Sequence, residues 1–480
     1  MVHKSRTMTS AALFGSYGGV GLRRLRERFR SDDWQEVLQD EGFLRECRSN
    51  LIPPSSPPSQ LRGVARYLIE RNGCRVAQLV SDGERDRERL VGVLGDWEAA
   101  LADDRRHPLL FLGLTLTTRC SFRPRCIYCN QRQCAEQLTV ERLKELIEEA
   151  ATPTPPYVYL TGGEPLLLGE AVYGTAGLLS HAARLHCATN VNTNAALIRP
   201  RTALFLIRSG LTRIHISLDA ADVRIQGRMF GSRKRVREVW RGVLDLLIAR
   251  ELMGAEHPRI HINCVVTKLN LDDIPSLLRA IWSLRPEGAA GTLDDFAFHL
   301  IPVGGESNAP IRPSAGEWYR LYTTVWEQAD AEWQRQQARE GIPAADRNAL
   351  HEALPFANPF LRVDHRMSLE EYCAQAEAGV YWQGALCERC YVAPTQACVL
   401  PDGSQHWCGG HAIRRPPPMG DATRNGLRQN IRASLTALRE LPGPDCLGCA
   451  GATCVINQAT RAALYAHVDE LLTNRESRSR

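Results

Sequence analysis

Between Leu110 and Val303 the chain changes pattern six times, each time from a short β-prone run to a segment of helical periodicity, and few architectures accept that rhythm. The β-prone runs are Phe111–Thr117, Tyr157–Thr161, Cys187–Asn192, Arg213–Leu218, Arg259–Thr267 and Phe296–Pro302. The helical segments are Val140–Ala150, Ala171–Arg184, Arg199–Arg208, Arg233–Arg250, Leu271–Leu284 and Ala315–Arg339. Parallel neighbours need a crossover connection and a helix supplies it, so the alternation predicts an α/β fold, a parallel sheet wound as a barrel or part-barrel. In such a fold the chemistry sits at the C-terminal ends of the strands.

Those ends carry unusual residues. The first strand runs into Cys120, Cys126 and Cys129, three thiols within ten residues. A zinc ion closed by protein alone takes four ligands, and so does an electron-transfer iron–sulfur cluster, so three point to a cluster with one iron left open. Cys134 is near enough in sequence to complete a zinc knot instead. The second strand ends in Thr161-Gly162-Gly163-Glu164-Pro165, where paired glycines let the backbone approach a ligand that a side chain would exclude. The third ends in Asn192-Thr193-Asn194-Ala195. In the fourth, period-two alternation puts His215, Ser217 and Asp219 on one face and Ile214, Ile216 and Leu218 on the other. His215 fits a ligand-facing position and a hydrogen-bonded core histidine equally well.

In this order, on these elements, the motifs resemble the radical S-adenosylmethionine (SAM) superfamily, over about Leu110 to Val303. The resemblance implies a partial (β/α)6 TIM-type barrel in which Cys120, Cys126 and Cys129 hold a 4Fe-4S cluster whose open iron takes SAM. It implies that Tyr128 is the aromatic residue before the last ligand. Gly162, Gly163, Glu164 and Pro165 become the turn that contacts the methionine amino group, and Asn194, Ser217 and Asp219 line the cofactor. Two features depart from the family. The first cysteine gap is five residues instead of three, and Ala195 stands where the family has glycine. The inserted stretch, stiffened by Pro124, is expected to bulge outward with Arg123 and Arg125 facing solvent or substrate. The implied chemistry is reductive cleavage of SAM to a 5'-deoxyadenosyl radical that takes a hydrogen atom from substrate, with the electron from an external donor such as a flavodoxin or ferredoxin. No acid–base catalytic residue is assigned.

Of sixteen cysteines, seven crowd into Cys387–Cys454. Cys390, Gly403 and Cys408, followed by Cys446-Leu-Gly-Cys449, resemble the auxiliary-cluster region of the SPASM and twitch subfamilies. Cys387, Cys390, Cys408, Cys446, Cys449 and Cys454 are therefore the candidate ligands of one auxiliary 4Fe-4S cluster. A structural zinc ribbon explains Cys-x-x-Cys pairs as well. Cys373 stands apart as core thiol, ligand or hydrogen-atom donor. Cys47, Cys74, Cys187 and Cys264 are scattered singly and read as structural thiols.

The length predicts several domains: a helical accessory domain at 1–105, the barrel at 106–303, a helical connection at 304–370, the cysteine-rich domain at 371–460 and a C-terminal helix and tail at 461–480. The first contains helical patterns, one strand candidate at Cys74–Val80, and a stretch from Leu79 to Leu94 faintly similar to winged-helix modules that hold leader peptides. A formal charge of +5, and an Arg23–Arg28 stretch interleaved with acids, read as a solvated helix face and not as a nucleic-acid footprint. No apolar run spans a membrane and no export signal opens the chain, which reads as cytoplasmic. The extra N-terminal domain and the second cysteine field favour maturation of a ribosomally made peptide or protein. A dehydrogenase or epimerase of a small metabolite such as an aminosugar is the second reading, and a non-enzymatic zinc- or iron-binding scaffold is the alternative of another class.

Overall fold

The computed structural model describes residues 13–14, 17, 19–58, 60–102, 107–131, 134–135, 137–285, 296–302, 306–353, 368–379, 389–409, 417–438, 440–441 and 452–478. Its framework is one nine-stranded sheet in the order β6-β5-β4-β3-β2-β1-β7-β8-β9. The strands are β1 (Phe111–Thr117), β2 (Tyr157–Gly162), β3 (Ala188–Thr193), β4 (Arg213–Ser217), β5 (Arg259–Val266), β6 (Phe296–Pro302), β7 (Gln396–Val399), β8 (Ser404–His406) and β9 (Gly420–Asp421). The first six are parallel neighbours in sequence order, as the strand–helix alternation predicts. The sheet does not stop at β1. β7 pairs with it in parallel, Phe111 opposite Gln396 and Leu114 opposite Val399, and β8 and β9 continue antiparallel.

The two faces of the sheet differ in chemistry. Leu112, Leu114, Leu116, Val158, Leu160, Val191, Ile214, Ile216, Ile260 and Ile262 alternate onto the outer face, where each is buried. Helices Val140–Ala151, Pro200–Arg208, Arg233–Met253 and Ile274–Trp282 supply the aliphatic residues of the same core. The opposite face carries Tyr159, Asn190, His215, His261 and Asn263. Ring contacts from Tyr159 on β2 to His215 on β4, across β3, mark it as the concave side. A full (β/α)8 barrel packs its interior with branched aliphatics; here the concave side is polar and aromatic.

Helices Gly19–Phe29, Asp32–Gln39 and Glu41–Ser49 dock on the outside of the barrel. Asp245, fully buried on Arg233–Met253, accepts from Arg28 at 2.7 and 2.9 Å and from the Trp34 indole at 2.7 Å. The Arg23–Arg28 stretch is thus not purely a solvated face. Arg28 turns inward because a buried carboxylate needs a charged partner, and Arg24 stacks over Trp240 at 4.9 Å. The expected strand at Cys74–Val80 is instead the end of helix Gln60–Ser81. Val64, Leu68, Asn72, Val76 and Val80 recur every fourth residue and are all buried, so helical periodicity overrides the β-branched composition. No strand occurs among the described residues of this segment, and Leu79–Leu94 is helix, turn and helix. Gln60–Ser81 and Arg87–Leu94 pack against the C-terminal helix Ala452–Arg478.

After the barrel, Ala315–Arg320, a π-turn at Leu321–Val325 and Trp326–Arg339 form one continuous helical run. Trp318, Trp326 and Trp333, spaced eight and seven apart on this run, are buried in the core, Trp333 lying 5.2 Å from Trp282. Cys373 is buried beside Tyr372 in that same core.

Candidate active site

The cysteine loop leaves β1 at Thr117 and is fastened at several points. Cys120, Cys126 and Cys129 carry free, part-exposed thiols. Burial pushes the Cys126 thiol up, and the charges of Asp219, Cys129 and Cys120 push it further, so the three sulfurs share one electrostatic neighbourhood. No three Cys, His, Asp or Glu side chains among the described residues converge as the ligands of a single metal ion do. A cluster spreads its irons and has no need of one point of convergence. The donor set suits a thiolate: the Cys120 sulfur accepts from the Phe122 backbone N–H at 3.4 Å and from the Asn194 carboxamide at 3.8 Å. The backbone of Cys134 is held on the Thr118 hydroxyl, its N–H donating at 3.1 Å and its carbonyl accepting at 3.3 Å.

The lengthened five-residue gap does not simply bulge outward. Phe122 is buried, 5.1 Å from Phe230, with Arg235 stacked over its ring at 4.7 Å. Arg235 also donates to the carbonyls of Arg123, Pro124 and Phe230. Arg123 is exposed as expected, whereas Arg125 folds back onto the carbonyls of Gln131 and Thr118 and braces the loop from within. A buried aromatic ring removes a large apolar area from water, and the loop turns inward at Phe122.

The Gly162–Pro165 turn runs against the loop's first residues. A Cβ on Gly162 would lie 2.3 Å from the Thr117 carbonyl oxygen, and one on Gly163 would lie 2.0 Å from that of Arg119. The backbone amides of Gly163 and Glu164 donate to those same two carbonyls at 2.7 and 2.8 Å. The close approach that both glycines permit is therefore to the chain of β1 itself. Gly162 adds a φ of +145°, which side chains rarely adopt. Glu164 is wholly buried. It accepts from the Thr193 hydroxyl (2.7 Å), the Asn194 amide (2.8 Å) and the Leu166 amide (3.0 Å), tying the end of β2 to the end of β3. Burial outweighs these bonds and lifts its carboxyl to about 7. Pro165 opens the short 3-10 turn that Glu164 caps.

Ala195 keeps the glycine geometry at its position, with φ +58°, and the helix bearing Gly242 packs directly on its carbonyl. Asn194 is thereby held with its carboxamide on Cys120 and on the Ser121 hydroxyl at 3.1 Å.

Asp219, at the end of β4, is also fully buried, and both its oxygens are engaged. Oδ1 accepts from the Val265 amide (2.8 Å), and Oδ2 from the Tyr128 hydroxyl (2.9 Å) and Gln226 (3.1 Å). Burial pushes its carboxyl up to about 6 against those donors. Asp219 is thus the post to which Tyr128, between two of the cysteines, is tied. Asn308 adds a bond to the Tyr128 carbonyl at 3.0 Å. Gln226, Asn270, Arg235 and Thr193 complete this support. Thr193 belongs to the motif at the end of the third strand, whereas no motif spacing distinguishes Gln226 or Arg235. Ser217 stays on the concave face opposite Asn263. His215 lies below it, edge-on to Tyr159 and stacked on His261 at 5.0 Å, a packed position in the polar layer.

In the second cysteine field, Cys387, Cys446 and Cys449, and the side chain of Cys454, lie outside the described residues. Cys390 and Cys408 are part-exposed. Cys398 is buried on β7 beside Gly113 and Phe111, on the same face as Tyr159, and burial raises its thiol to about 12.

A parallel sheet with three cysteines beyond its first strand, a double-glycine turn beyond its second and a buried carboxylate network joining the later strand ends defines a class, that of the radical SAM domains. Residues 114–281 match the model of the Radical SAM superfamily, and the chain carries a domain of that superfamily there, whose members work with a 4Fe-4S cluster and SAM. Among curated relatives, GTP 3',8-cyclase of Xanthomonas axonopodis pv. citri is 31% identical over 195 residues, covering 38% of this chain and 54% of that one. AdoMet-dependent heme synthase of Methanosarcina barkeri is 27% identical over 209 residues, covering 42% and 53%. The chain spans about half the length of these relatives. Among solved structures, Streptococcus suis SuiB bound to precursor peptide SuiA is 16% identical, with a TM-score of 0.48 over 78% of this chain and 76% of that one.

Proposed function

We propose that this chain is a radical SAM enzyme whose catalytic cluster is held by Cys120, Cys126 and Cys129. The observation that carries the reading is the fastening of that loop: the three thiols share one neighbourhood while the Arg235 side chain binds the Arg123 and Pro124 carbonyls, the Glu164 amide binds the Arg119 carbonyl and Asp219 binds the Tyr128 hydroxyl. Held by Cys120, Cys126 and Cys129, a 4Fe-4S cluster would supply one-electron reductive cleavage of SAM, with an external flavodoxin or ferredoxin as donor, and so the means to abstract a hydrogen atom from substrate. The chain's own part is placement. The Phe122 amide and Asn194 stabilise the Cys120 thiolate, the Gly163 and Glu164 amides fix the turn above it, and Asp219 positions Tyr128.

A ribosomally made peptide is the first substrate reading. It is supported by the helices that precede the barrel and by the cysteine-rich segment, which we read as one auxiliary 4Fe-4S site drawing on Cys387, Cys390, Cys408, Cys446, Cys449 and Cys454. One observation favours a small polar metabolite instead: the concave face is lined by Tyr159, Asn190, His215, His261 and Asn263, and Asn190 is fully buried with neither carboxamide atom hydrogen-bonded. The test is anaerobic reconstitution. The protein should bind about eight irons in two 4Fe-4S clusters and release 5'-deoxyadenosine from SAM when reduced. Zinc as sole metal with no cleavage would refute the enzyme reading.

A further inference from the structure

The C-terminal helix Ala452–Arg478 sends one buried side chain back toward the cysteine field. Asn457 is 4% exposed, and its Oδ1 accepts from two successive backbone amides, Tyr391 at 2.7 Å and Val392 at 3.1 Å. Those two bonds identify the oxygen and fix the plane of the carboxamide, because only an acceptor can satisfy two N–H groups. The Nδ2 end must then point the other way, and it lies 3.5 Å from the sulfur of Cys390. A neutral thiol makes a poor acceptor, and a carboxamide locked as a donor toward it is matched to a thiolate. The backbone amide of Cys390 is itself anchored on the Leu441 carbonyl at 3.3 Å, so the sulfur is held as firmly as its donor.

We propose that Asn457 is a positioning residue of the auxiliary site, orienting the Cys390 thiolate and raising the reduction potential of the cluster it ligates. This rests on the reading of Cys390 as an auxiliary-cluster ligand. Hydrogen bonds to ligand sulfur withdraw electron density from it and favour the reduced cluster, one of the levers by which proteins set cluster potentials. The helix that carries Asn457 also packs on Gln60–Ser81 and Arg87–Leu94.

The experiment uses the full chain with Cys120, Cys126 and Cys129 all replaced by Ala, so that remaining iron reports the auxiliary site alone. In this background Asn457→Asp keeps the acceptor for Tyr391 and Val392, removes the N–H donor and adds a negative charge. At a poise that half-reduces the parent cluster, the ratio of reduced to oxidised cluster should fall about tenfold, about 59 mV for a one-electron couple. An unchanged ratio with iron retained would overturn the inference and leave the proposed function standing. Should Asn457→Asp lose its iron, the parent protein carrying asparagine labelled with 15N in the side chain decides. The reduced cluster should show hyperfine coupling to a side-chain amide nitrogen, and its absence overturns the proposal. A triple-alanine protein that binds no iron would remove the auxiliary-cluster reading itself, and the inference with it.

Discussion

Replacing Gly163 by alanine separates two roles for the double-glycine turn. The new Cβ would stand 2.0 Å from the Arg119 carbonyl oxygen, 2.6 Å from its carbon and 2.8 Å from the Thr118 oxygen, where ordinary contact begins at 3.4 Å. Every atom it meets is backbone, so no rotamer change relieves the overlap, and the ends of β1 and β2 must separate by more than 1 Å. That breaks or stretches the Gly163–Thr117 and Glu164–Arg119 bonds. Two lost backbone bonds cost about 1–3 kcal/mol together, and an amide left buried without a partner adds about 1–3 more, so a total of about 2–6 kcal/mol is expected. The displaced residue, Arg119, immediately precedes Cys120. The assay is iron content and thermal midpoint of the anaerobically reconstituted variant, alongside SAM binding. On this geometry Gly163→Ala loses the iron of the SAM site and melts earlier. If instead it keeps its full iron and its melting temperature while binding SAM more weakly, the glycine serves a ligand and the contact with β1 is incidental.

Other expectations follow from the same site. Asp219 contributes stability that is complete below its ordinary pKa of 3.8 and is lost as pH rises through about 6, worth about 3 kcal/mol. Asp219→Asn lacks that slope, so the gap between variant and parent thermal midpoints should move in the variant's favour between pH 4 and 7, and a gap constant with pH would count against the buried carboxylate. Ala195→Gly removes a left-handed strain of about 1–2 kcal/mol but gives up a buried methyl of about 0.8 kcal/mol and about 0.5–1 kcal/mol of backbone entropy. Its unfolding free energy should therefore stay within about 1 kcal/mol of the parent, and a loss of several would mean that the methyl carries the packing of this turn. Cys134→Ala should retain SAM cleavage and Cys120→Ala should abolish it, since the Cys120 sulfur receives two N–H donors; the reverse would reassign the ligands.

The six parallel strands were legible because two independent signals, β-branched runs and turn residues, coincide at each. β7 was not. Gln396-Ala-Cys-Val is four residues long and offers no alternation of its own; it becomes a strand because β1 presents an edge of matching register. Composition misled at Cys74–Val80, where a stripe of every fourth residue, beginning at Val64, is visible only when the whole helix is taken together. At the site, the motifs place residues on the loops at the strand ends but do not say what those residues touch. Glu164 and Asp219 were expected to face a cofactor, and the structure gives both full sets of protein partners. That distinction depends on burial and on donors such as Thr193 and Gln226, which sequence spacing does not encode.

The pairing of β7 with β1 bears on how the chain is made. The strand that carries the cysteine loop has one side free until its partner, about 285 residues later, has left the ribosome, which at typical rates of synthesis takes about 15–60 s. Through that interval β1 offers unpaired backbone along a run of leucines, the kind of edge that recruits other nascent chains. The three thiols beyond it stand on an unfinished scaffold and are open to oxidation. Slow translation through the connecting region would lengthen this exposure, so the yield of intact protein in a foreign host should depend on how quickly the last hundred residues arrive and on whether oxygen is absent while they do.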